Sequence, residues 1–504
     1  MSAVLETVRT ADGTVKGVPA RLPSVTVFKG IPYAASTAGD GRWRPPLPTA
    51  RWEGVRLADT FGDVSPQAED TEGVAKSEDC LNLNVWTAAT DPGERRPVLV
   101  WVHGGRFLFG HGSSSHYDGS SMAGKGIVVV TINFRTGVFG FLAHPELSRE
   151  SGHDASGNYG LLDVMAALRW VRTNIAAFGG DPARVTVAGH SSGGATVMDL
   201  VYSPLAKGLF DQALVQSAAL FPRDPAIGTL CPSHRTKDGA ERGGVAYAAE
   251  RGATTLQELR ALPVEKLLEG SGADDTDVPG NPPPPLFRPV IDGWVLPKNY
   301  WETLDSGSQN DVPILTGNNL DESGAKPRQE ITLADYESRA REKYGDLADE
   351  FLRLYPATTD AEAGDQLNAS LREATRVSTY LWAGKYGETA ASPVFTYYWT
   401  HAPAGEEDRG AYHGSEIDYI FDNLHVDDRP YTATDRQIAT TFSDHVVNFV
   451  AHGHPDGPGQ GRWLPVDPDS PTTLRIGDSW ARMTLTDDPR LDFIGRFFAG
   501  RNPW

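Results

Sequence analysis

The sequence predicts an α/β protein built on a central, mostly parallel sheet flanked by helices, and three observations carry that reading. Pro97-Val-Leu-Val-Trp-Val102 and Ile127-Val-Val-Val-Thr-Ile132 are almost continuously apolar, as strands buried on both faces are. Between Leu161 and Phe178 the residues Leu161, Met165, Leu168, Val171 and Ile175 recur at helical spacing. A further β-branched run beginning at Arg184 then breaks at Gly189-His-Ser-Ser-Gly193 into a helix-compatible segment, Ala195 to Tyr202. Strands alternating with helices in this way wind into a parallel sheet, with function expected at the carboxyl ends of the strands.

The remaining elements fit around that centre. Val4 to Val18 alternates about Asp12-Gly13, a two-residue hairpin signal, so the chain opens with antiparallel strands. Lys29-Gly-Ile-Pro-Tyr33 and Arg42-Trp-Arg-Pro-Pro46 are extended because their prolines exclude helix. Leu81-Asn-Leu-Asn-Val-Trp86 alternates as a strand does. From about 220 to 310 the pattern changes to short helical pieces and a loop, Gly270 to Pro285, which carries Asp274, Asp275, Asp277 and four consecutive prolines. Such a loop is stiff, polyproline-like and exposed. Strand patterns resume at Val312-Pro-Ile-Leu-Thr316 and Val394-Phe-Thr-Tyr-Tyr-Trp399, so the excursion reads as a surface insertion in one domain spanning 1–504. Tyr397, Tyr398 and Trp399 read as core.

Composition narrows the function classes. With 66 acidic and 46 basic residues the net charge is −20, which opposes a phosphate backbone and argues against nucleic acid as a partner. No apolar stretch reaches the roughly 18 residues of a membrane span. The first ten residues lack a basic head followed by an apolar run, so no signal peptide is expected. Cys80 and Cys231 are too few for a disulfide scaffold or a four-cysteine zinc site, and a reduced, cytoplasmic protein fits best. Nothing sets the oligomeric state beyond a monomer or weak homodimer.

The chemistry centres on Gly189-His-Ser-Ser-Gly193. Strand, sharp turn and helix form a nucleophile elbow, in which small neighbours let Ser191 stand above the sheet at a helix N-terminus. A serine nucleophile needs a base, a carboxylate to orient it and N–H donors for the oxyanion. After the strand ending at Val102 comes His103-Gly-Gly-Arg-Phe107, a glycine turn able to present such donors. After Thr316, the segment Gly317-Asn-Asn-Leu-Asp-Glu-Ser-Gly324 offers Asp321 or Glu322, and after Trp399 a small-residue loop carries His413. The order serine, acid, histidine is that of an α/β-hydrolase fold. His445, His452 and His454 suggest a metal site, but no ligand cluster surrounds them, and they read as surface residues with no metal expected.

These motifs together resemble the type-B carboxylesterases, the family of the cholinesterases and bacterial nitrobenzyl esterases. The match runs from Val15-Lys-Gly17 to about Trp463. It takes in Phe28-Lys-Gly-Ile-Pro-Tyr33, Ser77-Glu-Asp-Cys-Leu-Asn-Leu-Asn-Val-Trp86, Asn133-Phe-Arg-Thr-Gly-Val-Phe-Gly-Phe-Leu142, Asn158-Tyr-Gly-Leu-Leu-Asp163 and Asn174 to Pro182. The resemblance implies a cofactor-free serine esterase acting on small-molecule esters, with helical insertions around an active-site gorge. It implies Ser191 as nucleophile, Glu322 rather than Asp321 as acid, and His413 as base. By position it gives the N–H groups of Gly105, Arg106 and Ser192 as oxyanion donors, and Ser217 as a serine that supports the triad from behind. Arg42 and Glu78 match a buried ion pair of the family. Gly104, Phe107, Leu108 and Phe109, at the glycine turn, are candidates for the substrate pocket.

The departures from the family pattern matter as much. Ser65 stands where the partner of Cys80 is commonly a cysteine, so Cys80 is expected as a free, buried thiol. The elbow usually reads Gly-Glu-Ser-Ala-Gly, whereas here His190 replaces a carboxylate near the catalytic histidine and Ser192 an alanine. His190 therefore weakens the negative field behind the imidazolium formed during acylation. Arg106 stands where glycine or alanine is normal. Its guanidinium would either recognise a substrate carboxylate or leave the pocket for a surface acid.

Ester hydrolysis through an acyl-serine is the leading expectation. Its rivals are transfer of the same acyl group to an alcohol or amine, as an acyltransferase or cyclising enzyme would do, and a binding module without catalysis, which the complete serine, glutamate and histidine set disfavours.

Overall fold

The computed structural model describes residues 4–229, 233–278, 283–457 and 462–504. At its centre is an eleven-stranded sheet. In chain order the strands are β1 (Val18–Pro19), β2 (Thr26–Pro32), β3 (Asn82–Thr87), β4 (Arg96–Val102), β5 (Val128–Ile132), β6 (Gly180–His190), β7 (Gln212–Gln216), β8 (Ile314–Asn319), β9 (Val394–Trp399), β10 (Thr472–Ile476) and β11 (Ala481–Thr484). Their spatial order is β11-β10-β9-β8-β7-β6-β4-β5-β3-β2-β1. From β5 to β10 every pairing is parallel, and the pairings toward both edges are antiparallel. The expected N-terminal hairpin lies apart from this sheet, pairing Thr7–Arg9 with Thr14–Lys16 about the Asp12-Gly13 turn.

The apolar runs are buried on both faces, as their lack of alternation requires. In β4, Val98, Val100 and Val102 face one core with the helices Tyr159–Asn174 and Ser192–Tyr202, while Leu99 and Trp101 face another with the helix Ala433–His452. Two motifs distant in sequence meet beneath the first face. Arg135 donates through Nε and a terminal nitrogen to the two oxygens of Asp163, each at 2.7 Å, with both side chains fully buried. Arg42 and Glu78 form a second buried fork, Nε to Oε1 at 2.7 Å.

Topology places the functional end of the sheet. The chain leaves β4 for β5 on one side and returns on the other as β6, so the order reverses between β4 and β6. A crevice opens at such a point beyond the carboxyl ends. Register brings those ends level: Val102 pairs with Gly189, His190 with Gln216, and Gln216 with Gly317.

The segment between β7 and β8 holds the helices Lys237–Glu250, Leu256–Ala261, Val264–Leu268 and Tyr300–Asp305. Part of the proline-rich loop, like Cys231, lies outside the described residues. In the part that is described, Asp275 departs from the expected exposed loop: it is buried and accepts from Arg235 Nε at 3.0 Å and an Arg288 terminal nitrogen at 2.8 Å. Two cations at its base outweigh the polarity that suggested solvent. His445 is a second correction to a surface expectation. It is buried, its Nδ1–H donating to Pro455 O at 2.8 Å and its ring stacked on Trp480, while His452 and His454 are exposed. Among the described residues no helix is long and apolar enough to cross a membrane, and no cluster of His, Cys, Asp or Glu could hold a metal ion.

Candidate active site

Ser191 follows β6 directly and caps the helix Ser192–Tyr202 with φ 57° and ψ −125°. Such a conformation costs a non-glycine residue about 1–3 kcal/mol and persists only where surroundings dictate it. Here they do. Ser191 N–H donates to Gln216 O at 3.0 Å, and its carbonyl accepts from Ala195 N–H at 2.8 Å. A Cβ on Gly189 would lie 2.5 Å from the Gly193 carbonyl carbon, and one on Gly193 would lie 2.2 Å from Val102 O. The small residues on either side of the serine are thus steric requirements.

Beyond β4 the turn His103–Phe107 lies against this elbow. Gly105 has φ 121°, with Arg106 at 56° and Phe107 at 62°, so three successive residues have positive φ. His103 braces the turn: its Nδ1–H donates to Gly104 O at 2.9 Å and its ring stacks on Phe134. Burial pushes its pKa down to about 4, which keeps it neutral. The amides of Gly105, Arg106 and Ser192 find no acceptor among the described residues. Unsatisfied donors at a helix N-terminus and a neighbouring turn are what an oxyanion requires.

The candidate acid and base come from the loops after β8 and β9. His413 Nδ1–H donates to Glu322 Oε2 at 2.7 Å, while Glu322 Oε1 accepts from Asn319 N–H at 2.8 Å. Asp321, the other acid of the loop, has different work. Its Oδ2 accepts from Ala411 N–H at 2.9 Å and its Oδ1 from Arg372 at 2.5 Å, tying the two loops together. Desolvation of the inner part of its half-exposed ring would lower the His413 pKa, but the bond to Glu322 and the charges of Glu322 and Glu416 raise it above the ordinary imidazole value. No hydrogen bond joins the Ser191 hydroxyl to His413 in this resting geometry, as is common before substrate closes the arrangement.

Comparison with known proteins agrees with this geometry. Residues 5–493 match the model of the carboxylesterase family. The chain belongs to that family. The fumonisin B1 esterase of Sphingopyxis macrogoltabida is 37% identical over 90% of this chain and 83% of its own length. The para-nitrobenzyl esterase of Bacillus subtilis is 32% identical over 98% and 99%. Among solved structures, a carboxylesterase of Geobacillus stearothermophilus superposes with a TM-score of 0.78 at 31% identity, covering 99% of this chain and 100% of that one. The fold is the α/β-hydrolase fold, and the protein is a serine hydrolase of carboxylic ester bonds.

Other side chains of this carboxylesterase meet expectation in part. Phe107 is no pocket wall: it is 2% exposed and packs edge-on against Phe141 at 5.2 Å, because its positive φ turns it into the core. Leu108, Phe109 and Gly104 remain partly exposed beside the turn. Ser217 follows β7 and is partly exposed; its hydroxyl is buried, yet it bonds neither to Glu322 nor to His413 and finds no partner among the described residues. Arg106 points its guanidinium away along the surface, donating to Asp274 Oδ1 at 3.2 Å with both side chains about two-fifths exposed.

One residue escaped the sequence reading. Glu416, three residues after His413, is completely buried behind the candidate triad, where it accepts from Gln216 Nε2 at 2.9 Å and Asn319 Nδ2 at 2.6 Å. A carboxylate three residues from the base, in a turn leading into the helix Ile417–Phe421, sits on the same side of that turn, and this spacing was the available signal. His190 completes the group. Its ring lies 4.4 Å from that of His413, and its buried Nε2 has no hydrogen-bond partner.

Proposed function

We propose that this carboxylesterase hydrolyses small-molecule carboxylic esters through an acyl-enzyme on Ser191. His413 takes the serine proton as the hydroxyl attacks the carbonyl, and Glu322 holds the imidazole and supports its positive charge. The Gly105, Arg106 and Ser192 amides receive the oxyanion; alcohol leaves with the proton from His413, and water repeats the cycle. The observation that carries this reading is the 2.7 Å bond from His413 to Glu322, set behind a serine at φ 57°. No cofactor enters any step.

The reading extends to a single domain. Both ends of the chain feed one sheet, with β1 and β11 at its opposite edges, which supports it. The buried, unbridged Cys80 supports a reducing, cytoplasmic setting. A monomer or weak homodimer is the proposed assembly. Fumonisin B1 and para-nitrobenzyl esters, taken from the relatives' names, are the first substrates to assay.

Ser191→Ala tests the nucleophile. Its kcat on nitrophenyl esters should fall by about 10⁴-fold or more, with the circular dichroism spectrum unchanged. Turnover near the wild-type rate in the folded variant removes Ser191 from the mechanism.

A further inference from the structure

The buried group behind the base contains two titratable side chains that the mechanism above does not use. Glu416 is sealed from solvent, and both its oxygens already face amide donors: Oε1 faces Gln216 Nε2, and Oε2 faces Asn319 Nδ2. The unpartnered Nε2 of His190 lies 3.9 Å from Oε1. That separation is too long for a hydrogen bond and too short to hold a water between the two atoms. A buried imidazole nitrogen left unpaired costs about 1–3 kcal/mol, which a movement of less than ~1 Å would recover.

Whichever group carries a proton, it faces the other. A protonated Oε1 has Nε2 as its acceptor, while an ionised Oε1 accepts from a protonated Nε2.

We propose that His190 and Glu416 hold one proton between them beneath the catalytic imidazole, and that the pair positions and tunes His413 by carrying no charge with the proton and −1 without it. This inference rests on His413 being the base, as proposed above. The His190 ring is tilted 43° against that of His413 with centroids 4.4 Å apart, so it senses and is sensed by the reacting imidazole. Burial, followed by the charge of His413, pushes the His190 pKa well down, so in the ground state the proton sits on Glu416. Burial correspondingly raises the Glu416 pKa to about 7, against the opposing pull of the Asn319 bond. The pair therefore loses its proton in the range where His413 must be neutral.

The groups facing the pair are few. His413 and Glu322 lie on the loops above it, Gln216 ends β7, Asn319 ends β8, and Tyr397 stands on β9. Tyr397 remains a neutral phenol because burial raises its pKa far beyond working pH. Glu416, brought up to about 7, is thus the group beneath His413 that can change charge in the working range.

The test is the pH dependence of kcat/KM on a nitrophenyl ester. In the wild type the acid limb should contain two ionisations and be shallower than a single one, because the charge left when the pair loses its proton raises the His413 pKa. Glu416→Gln fixes the pair as neutral, so the limb should become single and move down by about 0.5–1 pH unit as His413 loses a neighbouring negative charge. His190→Gln removes the acceptor for the shared proton and offers an amide donor to Oε1. Its limb should also be single, but it should stay at or above the wild-type midpoint. A merely structural role would lower the rate at every pH without moving the limb, and unchanged midpoints and steepness in both variants overturn the pair. If Glu416→Gln does not fold, His190→Gln decides alone, an unchanged limb again being fatal. Labelling of the wild type at Ser191 by an organophosphonate, read first, separates these outcomes from failure of the esterase mechanism itself.

Discussion

Glu322 Oε2 accepts the Nδ1–H of His413 at 2.7 Å, leaving Nε2 as the nitrogen available to the serine proton. The bond favours the imidazolium, and the His413 pKa stands above the ordinary imidazole value of 6.5 although the inner part of its half-exposed ring is desolvated. Only the neutral ring can act as a base, so activity falls as pH drops through this raised value. The acid limb of kcat/KM should therefore lie above pH 6.5. Glu322→Gln should lower kcat by about 10⁴-fold, because an amide in that place cannot hold the required tautomer or support the positive charge. Steady-state kinetics from pH 5 to 9 checks both.

Arg106 turns to Asp274 rather than toward the serine, across a half-solvated contact worth about 0–1 kcal/mol. Arg106→Ala should accordingly leave the ratio of kcat/KM for matched esters with and without an acyl-side carboxylate within about twofold, since uniform changes cancel in the ratio. A selective loss of the carboxylate-bearing ester would show that the guanidinium swings inward to bind it.

Arg135 and Asp163 are buried and doubly bonded, joining the segment after β5 to the long helix beneath the sheet. Removing one partner strands the other charge without solvent. Arg135→Met should destabilise the protein by about 3–5 kcal/mol, seen as a lower Tm in differential scanning calorimetry, with the nucleophile still reactive toward an organophosphonate at low temperature.

Cys80 has no accessible surface, and burial raises its thiol pKa far above the ordinary value. A thiolate is the reactive form, so the native thiol is inert. In Cys231→Ser protein, a colorimetric disulfide reagent should titrate no thiol in the native state and one after unfolding in guanidinium.

Much of this molecule could be read from local pattern. The unbroken apolar runs of β4 and β5 announced strands buried on both faces, and the glycines about Ser191 announced a turn that only small residues permit. The order of Ser191, Glu322 and His413 followed from which loop succeeds which strand. The choice of Glu322 over Asp321 needed either family resemblance or coordinates, because adjacent carboxylates on one loop differ only in direction. The directions proved opposite, Glu322 turning to His413 and Asp321 tying its loop to Arg372 and Ala411.

Sequence by itself determined the sheet, the elbow and the chain order of the candidate serine, acid and histidine, since periodicity and backbone sterics act over a few residues and leave their mark there. Tertiary structure alone decided the rest. Phe107 joins the core because of the φ of its turn, Arg106 finds an acid 168 residues away, and His445 is covered by Trp480. His190 faces Glu416 because parallel register levels the ends of β6 and β7 beneath the His413 loop. Contacts between residues of different elements, tens to hundreds of positions apart, follow from how layers pack, and no local period encodes them.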